Sequence, residues 1–146
     1  MLSKKTRYSL HALTYLAREY GKGAIMIGDI ARSEIIPHRF LETILLELKR
    51  LGILGSKTGK SGGYYLIRKP EEVRLSEVIR HFEGAIALVP CVSEKYYESC
   101  EHCKKEDLCT IRKVFKTVRD TTYQILYATT LADLINESSE SLPDPQ

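Results

Sequence analysis

A chain of 146 residues with 43% hydrophobic and 28% charged residues has the size and composition of one globular domain, or of a small domain carrying an oligomerisation element. No apolar run approaches the ~18 residues a membrane span needs, and the basic, partly apolar N-terminus is interrupted by His11, Thr14 and Arg18 with no small-residue cleavage site after it, so we expect a cytoplasmic protein. The net charge of +3 hides two unlike halves: residues 1–69 hold 13 Lys/Arg against 5 Asp/Glu, and residues 70–146 hold 9 against 14. A basic half beside an acidic one points to a polyanionic partner for the first.

In chain order, apolar spacing predicts a first helix over about residues 3–20, with Leu10, Leu13, Leu16 and Ala17 on its inner face and Gly21 and Gly23 ending it. A short helix near Ile27–Ser33 follows, then a break at Ile36-Pro37. A third helix runs to about Leu51 on the stripe Phe40, Leu41, Ile44, Leu45, Leu48 and Leu51. His38, Arg39, Glu42, Thr43, Lys49 and Arg50 lie mostly off that stripe. Ile53-Leu54 reads as a short strand, residues 55–63 as a turn, and Tyr64–Ile67 as the returning strand.

The turn, GSKTGKSGG, imitates a phosphate-binding loop, yet Leu54 stands where the first glycine belongs, and the residues that follow favour a strand over the helix such a loop requires. Helix, short helix, helix and basic hairpin is the outline of a winged helix-turn-helix, whose third helix enters the major groove. Glycines 59, 62 and 63 let the hairpin approach phosphates closely. Lys57 and Lys60 would supply charge there, and Thr58 and Ser61 hydroxyl donors. The phosphate expected at this loop is that of double-stranded DNA.

Leu75, Val78, Ile79 and Phe82 predict a helix over 75–83, ended at Glu83-Gly84. Residues 90–108 are polar and aperiodic and read as a long loop of the kind that carries function. A long helix is expected from about Cys109 to Tyr127. Its stripe of Ile111, Val114, Phe115, Val118, Thr122 and Ile125 repeats near 3.5 residues, which predicts dimerisation through this helix. Thr130 and Asp133 have capping-box spacing and predict a short last helix. The chain thus divides into a winged domain (1–84), a cysteine-rich loop (85–109), a dimerisation helix with a short end helix (110–135) and a flexible tail (136–146).

All four cysteines, Cys91, Cys100, Cys103 and Cys109, fall inside that loop in the pattern C-x8-C-x2-C-x5-C. Clustered cysteines favour metal or redox chemistry over a disulfide framework. Cys100 and Cys103 can reach one metal, and Cys109 opens a helix whose dipole favours a thiolate. Spacing alone leaves an iron–sulphur cluster, zinc, a thiol switch and unligated thiols open. A thiol oxidoreductase would need the C-x-x-C at a helix start beside a sheet, and no such pattern is present, so no enzyme is expected.

The order of segments resembles the Rrf-two family of winged-helix transcription regulators. LSKKTRYSLHALTYLA is similar to its opening helix, IARSEIIPHRFLETILLELKRLGIL to its recognition element and SKTGKSGGYYL to its wing. HFEG with PCV is similar to its entry into the cluster loop, and CTIRKVFKTVRDTTYQIL with TTLADL to its dimer helix and end. The resemblance implies a mainly α fold with a small β wing, and a homodimer on a pseudo-palindromic operator. It implies DNA contacts from Arg39, Glu42 and Thr43, from Thr58 and Lys60 on the wing, and from Lys4 and Lys5 on the first helix, and we expect His38, Lys57, Ser61 and Tyr8 to join them. It also implies an iron–sulphur cluster, two-iron or four-iron, on Cys91 and Cys109 with either Cys103 or, as in relatives with a longer first gap, Cys100.

Three departures stand out. Thr58 takes a wing position that is often arginine in the family. Arg112 stands where one branch has a ligating histidine, and arginine, always protonated, cannot coordinate. Tyr8 stands where another branch offers an acidic ligand from the partner. Whichever of Cys100 and Cys103 is spare is then the expected fourth ligand, ahead of His102, with zinc the alternative metal.

Overall fold

The computed structural model describes residues 1–137. Helix α1 (Lys4–Arg18) starts at Ser3, whose hydroxyl accepts the Thr6 amide at 3.2 Å, satisfying one of the free donors of the first turn. Ala12, Leu13, Leu16 and Ala17 are buried along it. Helix α2 (Ile27–Glu34) ends at Ile35, which takes the left-handed backbone at φ 54°, with its side chain in solvent and Ile36 buried beside it. Pro37 then caps helix α3 (His38–Arg50). Leu41, Ile44, Leu45 and Leu48 of α3 are all 0% exposed. Phe40, expected on the same stripe, is 40% exposed; it lies one position round the helix and packs edge-on against Tyr8, ring centres 5.5 Å apart.

Strands β1 (Leu54–Lys57) and β2 (Gly63–Leu66) form an antiparallel hairpin, paired from Leu54 with Leu66 to Lys57 with Gly63. The strand reaches further than its glycine suggested, and the tip shrinks to residues 58–62. The reason is cross-strand packing: the Tyr65 ring covers Gly55, where a side chain would collide with it. Ile25 adds a third edge through two 2.8 Å backbone bonds with Tyr64. Gly63, at φ 143°, lies against the Ile25 carbonyl, and a β-carbon there would strike it.

Helix α4 (Leu75–Glu83) stops at Gly84, at φ 81°. Tight turns at Pro90–Val92 and Glu106–Leu108 punctuate the long loop that follows. Helix α5 (Thr110–Ala128) has Cys109 as its cap and no buried residue along its length. Helix α6 (Leu131–Glu137) opens with the expected capping box: the Thr130 amide donates to Asp133 at 2.8 Å and the Asp133 amide returns to the Thr130 hydroxyl at 3.4 Å. The sequence grouped this helix with α5, but its apolar side joins the N-terminal core. Leu131 is fully buried among α1 side chains, and its amide donates to the Val73 carbonyl at 3.0 Å. Asn136 and Glu137, expected in the tail, close α6; residues 138–146, the rest of that tail, lie outside the described residues. No described helix is long and apolar enough to cross a membrane.

Candidate nucleic-acid interface and cysteine cavity

Because α3 buries one side so completely, its other side must face water. His38, Arg39, Glu42, Thr43, Lys49 and Arg50 are all exposed there. At the hairpin tip Lys57, Thr58, Lys60 and Ser61 are exposed as well. Gly59 turns the tip at φ 99°, and Gly62 packs under the Lys57 and Gly59 carbonyls, leaving no room for a side chain. A strand, not a helix, follows Ser61, which removes the nucleotide-loop reading. Arg39, Lys57 and Lys60 have no acidic partner among the described residues, so their charge is available to an outside anion.

Helix and hairpin are fixed to one another. Lys49 donates to the Ser56 hydroxyl at 2.7 Å, tying the end of α3 to β1. The Tyr64 hydroxyl is raised above its ordinary pKa, first by burial and then by the Glu42 charge. On the inward side, Glu47 of α3 accepts from Lys5 of α1 and pairs with His81 of α4 at 3.0 Å. The Lys5 hydrogen bond, reinforced by His81 against the cost of burial, holds the Glu47 carboxyl below its ordinary range. The same pattern recurs at Glu83, lowered first by its bond from the Thr6 hydroxyl and also bonded by the Ser3 amide at 2.7 Å.

The residues expected on the first helix therefore separate. Lys4 is exposed, Lys5 is engaged by Glu47, and Tyr8 is half-buried against Phe40. Sequence reading missed Glu47, the charged hub that joins three helices. Its position one step from the α3 core stripe was the available signal.

The four cysteines open onto one cavity of about 340 Å³, walled also by Val89, Pro90, His102, Glu106, Ile111 and Arg112. All four are free thiols; Cys91, Cys103 and Cys109 are part-buried, whereas Cys100 is exposed at the rim. Cys103 closes the C-x-x-C turn by donating its amide to the Cys100 carbonyl at 3.1 Å. Its thiol is pushed above the ordinary value, first by burial and then by Cys109 beside it. Cys109 Sγ accepts the Arg112 amide at 3.4 Å as the cap of α5. Among the described residues, no three His, Cys, Asp or Glu side chains stand close enough to hold a single metal ion. The donor chemistry nevertheless fits an iron–sulphur cluster: four soft sulphurs around a space wide enough for several atoms.

Two arginines of α5, absent from the expected site, hold the turn that carries Cys91, and Arg112 also lines the cavity. Arg112 donates Nε to the Cys91 carbonyl at 3.3 Å, and Arg119 donates Nη1 to the Val92 carbonyl at 2.5 Å. Seven residues apart, they share one helix face and grip consecutive carbonyls of the turn that carries Cys91. That heptad spacing off the apolar stripe was legible, but their target, a backbone carbonyl, leaves no trace in sequence. On the opposite face of α5, Ile111, Val114, Val118 and Ile125 are 65, 62, 39 and 61% exposed.

These features have close parallels in known proteins. The chain matches the family model Rrf2, iron-dependent transcriptional regulator, over residues 2–137. An Rrf2-like HTH-type transcriptional regulator of Rhodobacter capsulatus is 39% identical over 150 residues, covering 99% of this chain and 100% of that one. The HTH-type transcriptional regulator NsrR of Bacillus licheniformis is 32% identical, with 92% and 91% covered. The structure of CymR, the global cysteine regulator of B. subtilis, superposes with a TM-score of 0.78 at 28% identity, over 94% of this chain and 97% of that one. These relatives are regulators of transcription, not enzymes. The chain belongs to the Rrf2 family: it is a winged-helix, DNA-binding transcriptional regulator.

Proposed function

We propose that the protein is a cytoplasmic, homodimeric repressor of a pseudo-palindromic operator, and that an iron–sulphur cluster at its cysteine cavity sets its affinity for DNA. The exposed stripe on α5 is the surface for the second copy. Pairing there presents two α3 helices to half-sites about one duplex turn apart. Arg39, Glu42, Thr43 and His38 meet base edges and the nearby backbone. Lys57, Thr58, Lys60, Ser61 and Lys4 meet phosphates. Lys5 and Tyr8 act from behind, by holding α3.

The observation that carries the gating is the cavity itself, whose wall is shared by all four cysteines and by α5. Cys91, Cys103 and Cys109 would hold the cluster, with Cys100 at the rim as fourth ligand. When bound, the cluster supplies a redox-sensitive crosslink between the loop and the start of α5. Arg112 and Arg119 then carry the position of the Cys91 turn into α5, and so into the spacing of the two reading helices.

The test is anaerobic purification with iron, sulphide and zinc analysis, followed by affinity for a duplex selected from a random pool. We expect matched iron and sulphide, and a change of about tenfold or more in affinity when the cluster is removed or Cys109→Ala is made. Equal affinity with and without cluster sinks the gating. The neighbouring Cys103 and Cys109 thiols favour one rival, a disulfide switch in the same fold. It predicts colourless protein whose thiol count falls by two on oxidation.

A further inference from the structure

On the side of α5 turned away from its exposed apolar stripe lies a second cavity, of about 530 Å³, that none of the above uses. Arg74, which caps α4, Arg80 of α4, Lys95 and Tyr96 of the cysteine loop, and Tyr123 and Tyr127 of α5 converge on it. Each arginine lies over a ring: the Arg74 Cζ is 4.3 Å from the Tyr127 centroid, and the Arg80 Cζ is 4.6 Å from that of Tyr123. A cation–π contact restricts a guanidinium without using up its N–H donors.

Their existing partners use only part of that capacity. Arg74 donates one bond to the Tyr127 carbonyl at 2.6 Å, and Arg80 reaches Glu94 at a long 3.4 Å. Glu94 is itself 65% exposed and therefore weakly held. Of the other walls, Glu77 is occupied by Arg68 at 2.7 Å and His81 by Glu47. Lys95 has no partner among the described residues. Two guanidiniums and an ammonium thus face a concave aromatic floor, balanced by the loosely held Glu94 and by Glu77, which Arg68 already engages.

We propose that this cavity binds a small organic oxyanion, a carboxylate or phosphate attached to a compact body that rests against Tyr96, Tyr123 and Tyr127. The place is separate from the dimer surface. Tyr123 and Tyr127 are each two positions from Ile125, roughly 160° around the helix at 3.6 residues per turn. The place is also consequential. Its ligand would join the cysteine loop to α4, and the next residue of α4, His81, holds Glu47 of α3. Effector and cluster would then act on the same loop, the effector through Lys95 and Tyr96 and the cluster through the cysteines on either side of them.

The experiment uses the full chain with phenyl phosphate and benzoate as probes, followed by calorimetry and by tyrosine emission, which nine tyrosines and no tryptophan leave unobscured. It requires neither DNA nor cluster, so its failure is distinct from failure of the gating. We expect saturable binding of at least one probe, weakened about tenfold or more by Arg80→Gln and several-fold by the solvent-side change Lys95→Gln. Lys104→Gln, on the same loop but outside the cavity, should leave it unchanged. Preference for phenyl phosphate or for benzoate tells a tetrahedral from a planar oxyanion. No saturable binding of either probe, or equal binding by all three variants, overturns the proposal.

Discussion

Helices α3 and α5 carry the same kind of sequence, an apolar stripe at helical spacing with charges around it, and meet opposite fates. Leu41, Ile44, Leu45 and Leu48 of α3 are completely covered by α1, α2 and the hairpin, whereas α5 has no buried residue. A stripe reports that something must cover it and does not say what. For α3 the cover lies within the chain, and the helix becomes a rigid strut whose far side can be aimed. For α5 we read the cover as a second copy.

Substitution separates the two cases. Leu45→Ala leaves a void in a closed core and should cost about 2–5 kcal/mol of unfolding free energy, measured by urea denaturation. A loss below 1 kcal/mol would mean that α3 is not the strut described. The matching change on α5, Val118→Asp with Ile125→Asp, should leave each chain folded with its helix content intact. It should convert the dimer to a monomer by sedimentation and weaken operator binding by about a hundredfold, because two linked half-site contacts become one. A variant that remains dimeric would move the dimer surface elsewhere.

The contrast also explains what could be read in advance. The α1–α3 core, the end of α4 at Gly84 and the Thr130–Asp133 capping box depend on local spacing and were legible. The length of β1 was not, because Gly55 as a turn former was overridden by the Tyr65 ring across the strand. Phe40 was misplaced because a 3.6 period fixes a stripe only to within one residue at its edge. The four cysteines announced a site, but the grip of Arg112 and Arg119 on backbone carbonyls could not be seen, since a carbonyl is the same at every residue. The hub at Glu47 was hidden for a related reason: its partners Lys5 and His81 lie 42 and 34 residues away.

That hub permits a smaller test of the strut. The folded state holds the Glu47 carboxyl below its ordinary value of 4.5, so the pair stabilises the protein fully above that value. The contribution fades as pH falls through the lowered folded value. Glu47→Gln should therefore cost about 1 kcal/mol or less at pH 7, since the pair is partly exposed, and the deficit should vanish in acid. A deficit that stays constant from neutral pH to pH 3 would trace the loss to packing instead.

The smallest effect belongs to the wing, and it is the one that distinguishes touching DNA from reading it. Lys60 is exposed, unpaired among the described residues and set on a glycine-built tip, the arrangement of a residue that meets phosphate. Phosphate contacts release counterions, so Lys60→Gln should reduce the salt dependence of operator binding by about one ion and weaken all sequences alike. Arg39→Gln, on the outward face of α3, should instead change which sequence is preferred, with a penalty of about 1–3 kcal/mol confined to the site it contacts. If Lys60→Gln altered sequence preference while Arg39→Gln weakened all duplexes equally, the roles of wing and helix would be exchanged. The wing would then be the reader, and α3 the clamp that holds it over the groove.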